Sequence, residues 1–256
     1  MTQLPRIMVA PNGARRTRND HPNIPVTISQ TVETARLCHA AGAGAIHAHV
    51  RDEDQKHILD AGLYKELIGE IHHLVPEMLV QITTEAVGIY SAQEQRKLIS
   101  DVKPPAVSIG LMEMISDGDF QATRRTYHSA QDLGIAVQHI VYSADELVRL
   151  FQLMDDGVIP SDGLQLLFVL GRYTKGQQSD PSMLAPFLSV LDTNIQRLEW
   201  AVCAFGKGET TCLTAAAKAG GKVRVGFENS LFAADGSVAE SNEQRVREMS
   251  LAIEGA

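Results

Sequence analysis

Several features are scarce in this sequence of 256 residues, and each scarcity excludes a class of protein. There are only three cysteines, Cys38, Cys203 and Cys212, an odd number scattered through apolar stretches, which excludes a disulfide framework and indicates reduced thiols. No apolar run approaches the roughly 18 residues that a membrane-spanning helix needs. The N-terminal region has no charged segment followed by an apolar one, so we expect no secretory signal and a cytoplasmic protein.

Basic residues are fewer than acidic ones in this sequence. Lys and Arg together number 23 against 31 Asp and Glu, which gives a formal net charge of −8. A chain this acidic, without a long basic cluster, is a poor match for nucleic acid or an anionic membrane. The remaining composition, 44% hydrophobic and 21% charged, is typical of a globular protein and excludes a disordered or low-complexity one. We therefore expect a protein that acts on small molecules.

Short β-rich apolar runs alternate with longer helical patterns eight times along the chain. The predicted strands are 6–10, 45–50, 79–83, 106–110, 135–142, 164–170, 199–204 and 222–227. The predicted helices are 29–41, 61–74, 91–101, 119–133, 143–156, 180–192, 208–219 and 241–254, and several of them end at glycine. Eight such units close naturally into a (β/α)8 TIM barrel, here one domain over 1–256, with an open doubly wound sheet as the alternative.

The predicted second strand ends in two histidines, His47 and His49. Side chains at i and i+2 of a strand share a face, so both imidazoles point the same way, at the end of the strand where such barrels hold their active sites. Imidazole nitrogens suit Zn²⁺ and other divalent first-row metals. The alternative is a pair of histidines that are hydrogen-bonded in the protein interior.

Charged residues share one face of the predicted eighth strand, at Arg224 and, directly after the strand, at Glu228. An unpaired buried charge costs several kcal/mol, so these groups either pair with each other or bind something. Glu228 would complete a set of two histidines and one carboxylate, which is typical of metal sites with open coordination positions.

Other polar residues lie near predicted strand ends. Thr83 and Ser108 offer hydroxyls that either bind a substrate oxygen or satisfy nearby backbone groups. Arg15, Arg16 and Arg18 form a short basic cluster after the first strand. That cluster is either a solvated loop or a contact for an anion such as a carboxylate or a coenzyme phosphate.

Four segments make the sequence recognisable. They are V-A-P-N-G-A at 9–14, A-G-A-I-H-A-H-V-R-D at 43–52, Q-I-T-T-E-A-V-G at 81–88 and G-G-K-V-R-V-G-F-E-N at 220–229. With these segments the chain resembles the β-keto acid cleavage enzyme family over essentially its whole length. The resemblance implies a (β/α)8 barrel, a homotetramer, and a divalent metal, typically Zn²⁺, held by His47, His49 and Glu228.

The resemblance also implies an activity, that of a metal-dependent acyltransferase. Such an enzyme condenses a β-keto acid with acetyl-CoA and cleaves the product to acetoacetate and a new acyl-CoA, with the metal as a Lewis acid that stabilises an enolate. By position, Arg224 would orient the substrate carboxylate, and Thr83 and Ser108 would contact the substrate.

The sequence departs from the family pattern at its acids. Members commonly have an Asp that serves in proton transfer where this chain has Asn229, and an amide takes up no proton at neutral pH. The family's P-E-x-E on strand five is V-Q-H-I at 137–140, and an acid often found after the first G-A is Arg15. The general base is therefore open between His139, Glu85 and a metal-bound hydroxide, and the strand pattern leaves the direction of His139 open.

Two other functions remain open. A metal-dependent aldolase or isomerase would act on a keto acid at the same site without CoA. A non-catalytic keto acid binding protein is favoured only by the missing acids. The side chain of the substrate has no local signature in this sequence.

Overall fold

The computed structural model describes residues 3–191 and 198–254. Its parallel strands close into a barrel in which each pairs with the next and the last pairs with the first, which confirms the predicted (β/α)8 barrel and excludes an open sheet. The strands are β1 (Ile7–Val9), β2 (Ala45–Ala48), β3 (Leu79–Thr83), β4 (Ala106–Gly110), β5 (Ala136–Val141), β6 (Gln165–Leu170), β7 (Glu199–Ala204) and β8 (Lys222–Val225).

The helices alternate with the strands and surround them. They are α1 (Ile28–Ala40), α2 (Ala61–Leu74), α3 (Ala92–Val102), α4 (Leu111–Met114), α5 (Phe120–Asp132), α6 (Ala144–Asp155), α7 (Ala185–Val190), α8 (Glu209–Lys218) and α9 (Asn242–Ile253). Side-chain caps fix many of their starts. Thr27, for example, accepts a hydrogen bond from the backbone N of Gln30, whose side chain reaches back to residue 27 in a capping box.

Two segments differ from the sequence prediction. The helix predicted over 180–192 is a 3₁₀ turn at Pro181–Leu184 followed by α7, and position 192 lies outside the described residues. The 3₁₀ turn begins at Pro181, and Pro186 lies in the first turn of α7. Proline has no N–H to donate to the preceding turn, so it is tolerated at the start of a helix and not in its interior. The short helix α4 follows β4 directly and was not predicted.

Two apolar layers hold the barrel together. The larger lies between the strands and the surrounding helices and includes Ile46, Ile82 and Val107. The smaller includes Met8, Ala45, Leu167, Val169 and Cys203, and fills the barrel. The two layers leave the C-terminal ends of the strands to polar side chains, as expected for this fold.

Closure of the barrel brings the ends of β2 and β8 to either side of β1. Met8 pairs with Ala45 of β2 on one side and with Arg224 of β8 on the other. The pairing continues past β8, where the backbone N of Glu228 donates to the O of Ala10 at 3.0 Å. Segments that are far apart in sequence therefore meet at one mouth. Within the described ranges, no helix is both long and apolar enough to span a bilayer.

Candidate active site and metal centre

The structure brings the three predicted metal ligands together at the C-terminal mouth of the barrel. The Nε2 atoms of His47 and His49 are 3.1 Å apart, and Oε2 of Glu228 lies 3.5 Å from each of them. Both histidines are buried, with 1% and 2% of their surface exposed. The group is therefore shielded from bulk water while its three ligand atoms face one another.

The spacing of these atoms fits a divalent metal. Ligand bonds of about 2.0–2.2 Å in a tetrahedral arrangement hold ligand atoms about 3.3–3.6 Å apart. The three measured separations lie within about 0.2 Å of that range. In addition, Oε2 of Glu228 is buried and accepts no hydrogen bond from any described residue. Such an oxygen, facing two imidazole nitrogens, is suited to a shared cation.

The orientation of His47 is fixed by a chain of glutamines inside the barrel. Nδ1 of His47 lies 2.9 Å from Oε1 of Gln81, and Nε2 of Gln81 donates to Oε1 of Gln138 at 3.1 Å. Because an amide oxygen only accepts, Nδ1 of His47 carries the proton and its Nε2 keeps a free lone pair. The network therefore selects the tautomer that binds metal through Nε2.

The protonation states also favour metal binding. Burial lowers the pKa of His47 to about 4 and that of His49 well below its usual value, so both rings are neutral at pH 7. Burial alone would raise the pKa of Glu228, but the positive charge of Arg224 is the largest opposing effect, and the pKa of Glu228 lies well below its usual value. The site therefore offers two neutral imidazoles and one carboxylate.

Residues after β1 support two of the ligands. The side chain of Asn12 donates to the backbone O of His49 at 2.9 Å and accepts from its N at 3.3 Å. Gly13 has φ +62°, and a Cβ added to it would come 2.5 Å from Cγ of Glu228. Both residues lie in the V-A-P-N-G-A motif, but their roles depend on contacts between segments that the sequence alone does not reveal.

A cavity of about 160 Å³ adjoins His47 and Glu228. All the substrate-binding residues predicted from the sequence border it, and so does Asn229. The bordering predicted residues are Thr83, Ser108, Arg224 and Asn229. The cavity therefore joins the metal site to hydroxyl, amide and guanidinium groups at the ends of several strands.

Several polar atoms beside this cavity have no partner within the described part of the chain. Arg224 donates through Nη2 to Oε1 of Glu228 at 3.0 Å, but its Nε and Nη1 are unpaired. Oγ of Ser108 and Oδ1 of Asn229 are likewise unpaired, whereas Oγ1 of Thr83 accepts from the backbone N of Glu85 at 3.0 Å. A buried polar atom left unpaired costs about 1–3 kcal/mol, so a polar ligand that pairs with these atoms is favoured.

The structure does not bring His139 into the cavity. Its ring packs against Tyr127 of α5, with the ring centroids 5.1 Å apart, and it borders a separate small cavity near Leu164. Alternation along β5 points Gln138 and Ile140 into the barrel and His139 outward to the helices. His139 is therefore removed from the candidates for the general base.

The cavity also has charged neighbours that the sequence analysis does not single out, Arg172 and Glu113. Arg172 follows β6, and its guanidinium carbon lies 5.5 Å above the ring of Phe205. Glu113 lies on α4, and its Oε2 accepts from the N of Ala86 and from Nε2 of Gln95, both at 3.0 Å. Arg172 lies just past the end of β6, where polar residues are expected to border the site of such a barrel, so its position is a usable signal. Glu113 gives no such signal, because the sequence does not predict the helix α4 that carries it.

Together the fold and site define a (β/α)8 barrel with a two-histidine, one-glutamate centre beside a polar cavity. Residues 6–256 match the family model of the beta-keto acid cleavage enzyme. The chain therefore belongs to that family, which confirms the resemblance seen in its motifs.

Individual relatives are distant but cover most of the chain. The 3-oxoadipate:acetyl-CoA acetyltransferase of Cupriavidus necator is 24% identical over 99% of this chain and 90% of its own length. The 3-keto-5-aminohexanoate cleavage enzyme of Acetoanaerobium sticklandii is 24% identical over 93% of this chain and 87% of its own. Among solved structures, apo ObcA superposes with a TM-score of 0.69 at 16% identity, covering 91% of this chain, which spans 62% of ObcA. This last likeness supports the fold alone.

Proposed function

We propose that this protein is a metal-dependent acyltransferase that cleaves a β-keto acid with acetyl-CoA, yielding acetoacetate and a new acyl-CoA. The observation that carries the proposal is the meeting of the His47, His49 and Glu228 triad with unpaired buried donors in one cavity. Family membership supports it, since two relatives are named for acetyl-CoA transfer or keto acid cleavage.

The overall reaction exchanges two acyl groups. The carbon between the ketone and the carboxylate loses a proton and bonds to the acetyl carbonyl carbon, while CoA leaves as a thiolate. The thiolate then adds to the original ketone carbon, and the bond between that carbon and the new acetoacetate unit breaks. A divalent cation held by the triad would supply Lewis acid polarisation of a carbonyl oxygen.

Four side chains beside the triad border the substrate cavity. The two free N–H groups of Arg224 suit a substrate carboxylate, because a guanidinium binds two oxygens at once and stays charged. Ser108 donates its hydroxyl hydrogen to an oxygen of the keto acid, and Thr83 borders the same space. Asn229 orients the substrate through its amide but takes up no proton.

We also propose finer features of the protein. Zinc is our choice of metal, because two imidazoles, one carboxylate and an open position are typical of catalytic zinc. The family resemblance supports a homotetramer. The three unpaired, buried cysteines support a cytoplasmic location, and the β/α alternation of the described residues supports one barrel domain over 1–256.

The test is turnover by zinc-loaded protein with acetyl-CoA and a panel of β-keto acids that carry neutral, anionic or cationic ends. We expect acetoacetate and the matching acyl-CoA in equal amounts by mass spectrometry, and neither product from His49→Ala or from metal-stripped protein. Product formed without acetyl-CoA would instead indicate an aldolase or isomerase. Tight binding of keto acids without any product would indicate a binding protein, and either result contradicts the proposal.

A further inference from the structure

The proposed reaction needs a base that removes a proton from carbon, and the residue after Glu228 does not supply one. Asn229 is buried in the cavity, but its amide has no basic atom at neutral pH. We rest the inference on the proposed function, and we seek the base among the acidic and basic side chains that border the cavity.

Most of these side chains are already engaged. Glu228 is paired with Arg224 and faces the two histidines. Glu113 holds the backbone N of Ala86 and the side chain of Gln95 through one oxygen. Arginine is a permanent cation and takes up no further proton, so the cavity's guanidinium groups are excluded as bases.

Glu85 is the remaining carboxylate at the cavity. Its backbone is fixed, because its N donates to Oγ1 of Thr83 at 3.0 Å and its O lies 3.0 Å from Nε2 of His57. Its side chain borders the same cavity as His47 and makes no hydrogen bond or ion pair with any residue that the structure describes. A carboxylate held at the backbone and free at its oxygens is available to a substrate.

We propose that Glu85 is the general base of the reaction. The C–H bond between ketone and carboxylate breaks, its proton moves to an oxygen of Glu85, and its electron pair forms the new bond to the acetyl carbon as CoA thiolate leaves. When the same carbon regains an electron pair in the cleavage step, Glu85 returns the proton to it. The carboxylate is then regenerated, and acetoacetate leaves with two hydrogens on that carbon.

The electrostatic surroundings suit this role. Burial, followed by the nearby Glu228 and Glu113, raises the pKa of Glu85 to about 7, and Arg172 and Arg15 oppose the rise. A base is most effective when its pKa lies near the working pH. Further charged or titratable groups that interact with Glu85 come from the β2–α2 loop, from α2 and from the residue after β5. They are Arg51, His57, Tyr64 and Tyr142.

The test is the Glu85→Gln variant, which keeps the size of the side chain and removes its basic oxygen. We expect kcat to fall by about 10²–10⁴-fold, with KM and bound zinc close to wild type. Exchange of the substrate's C2 hydrogens in D₂O, followed by NMR without acetyl-CoA, should fall in parallel. Glu85→Asp, which retains a carboxylate, should recover part of both rates.

Glu113→Gln is the matched control, because it removes a charge from the same cavity and its amide oxygen can still accept both hydrogen bonds. Wild-type kcat/KM should rise with pH as Glu85 ionises, because the reaction needs its carboxylate form, and burial and the charge of Glu113 place that rise above the ordinary pH range of a glutamate. Glu113→Gln should keep most of the plateau rate and move this rise to lower pH, because a charge that raises the pKa is gone. Arg172→Gln should move it to higher pH, and Glu85→Gln should abolish it.

The outcomes separate the inference from the proposed function. An unchanged kcat in Glu85→Gln would overturn the inference. A raised KM with an unchanged kcat would also overturn it, because it would indicate that Glu85 binds substrate and does not act as a base. If wild-type protein exchanges the C2 hydrogens through Glu85 but forms no acetoacetate, Glu85 is still a base, but the proposed acyl transfer is contradicted. Wild-type protein that does neither would overturn both.

Discussion

Substitution of Gly13 by alanine should displace a metal ligand without changing any polar group. A Cβ on residue 13 would lie 2.5, 3.1 and 3.3 Å from Cγ, Cβ and Cδ of Glu228, whereas ordinary contacts begin at 3.4 Å. The added Cβ and Cγ of Glu228 must therefore move apart by about 0.9 Å. A metal site accepts changes of only about 0.2 Å in the distance from the metal to a ligand atom. We expect Gly13→Ala to weaken metal binding by about 10–100-fold, the range found when the support of a ligand is lost.

The same substitution also strains the backbone, and this effect needs its own control. Residue 13 has φ +62°, a left-handed conformation that costs an alanine about 1–2 kcal/mol. Gly118 has φ +71°, is exposed, and has no atom within 4 Å of the place that a Cβ would take, so Gly118→Ala carries the backbone strain without the clash. It should lose a similar amount of stability, about 1–2 kcal/mol, and bind metal as wild type does.

Competition with a chromophoric chelator measures the zinc affinity of both variants, and urea denaturation of the metal-free proteins measures their stability. Gly13→Ala should lose about a further 1–3 kcal/mol because of overpacking against Glu228. Wild-type zinc affinity in Gly13→Ala would refute the reasoning. So would an equal loss of affinity in Gly118→Ala, because the effect would then come from backbone strain alone.

Three further substitutions probe the support of the site. Gln81→Leu removes the acceptor of the His47 Nδ1 proton and should weaken zinc binding about 10–100-fold in the same competition assay, and unchanged affinity would contradict that role. Asn242→Ala removes two buried hydrogen bonds, of 2.9 and 3.1 Å, that tie the end of β8 to the end of β1. It should cost about 2–4 kcal/mol in urea denaturation, and a loss within error of zero would contradict this account. His139→Asn should leave kcat unchanged because the ring lies outside the cavity, and loss of most turnover would return His139 to the site.

Much of the architecture could be predicted because it depends on local patterns. Three strands, 79–83, 106–110 and 199–204, have the predicted bounds, and each of the other five differs by one or two residues at one or both ends. The metal triad was also accessible, since two histidines at i and i+2 share a face and barrel closure brings β2 and β8 to either side of β1. The strands and the metal triad could therefore be predicted from short sequence patterns together with the known geometry of a closed β/α barrel.

The rest depends on contacts between distant segments. The direction of His139 follows from the register of β5, in which the next residue inward, Gln138, pairs with Ser108 of β4. The contact of Gly13 with Glu228 joins the two ends of the chain and has no sequence pattern. The role of Gln81 follows from its pairing with His47 across β2 and β3, so a correct strand register would have found it.

The most direct test of the central claim follows the carbon atoms of the products. Zinc-loaded protein is incubated with an accepted β-keto acid and acetyl-CoA labelled with ¹³C at the acetyl carbonyl, and the products are analysed by NMR. The account predicts acetoacetate labelled only at its ketone carbon, together with an unlabelled acyl-CoA built from the keto acid. Unlabelled acetoacetate, or label released as acetate with no acetoacetate formed, would contradict it.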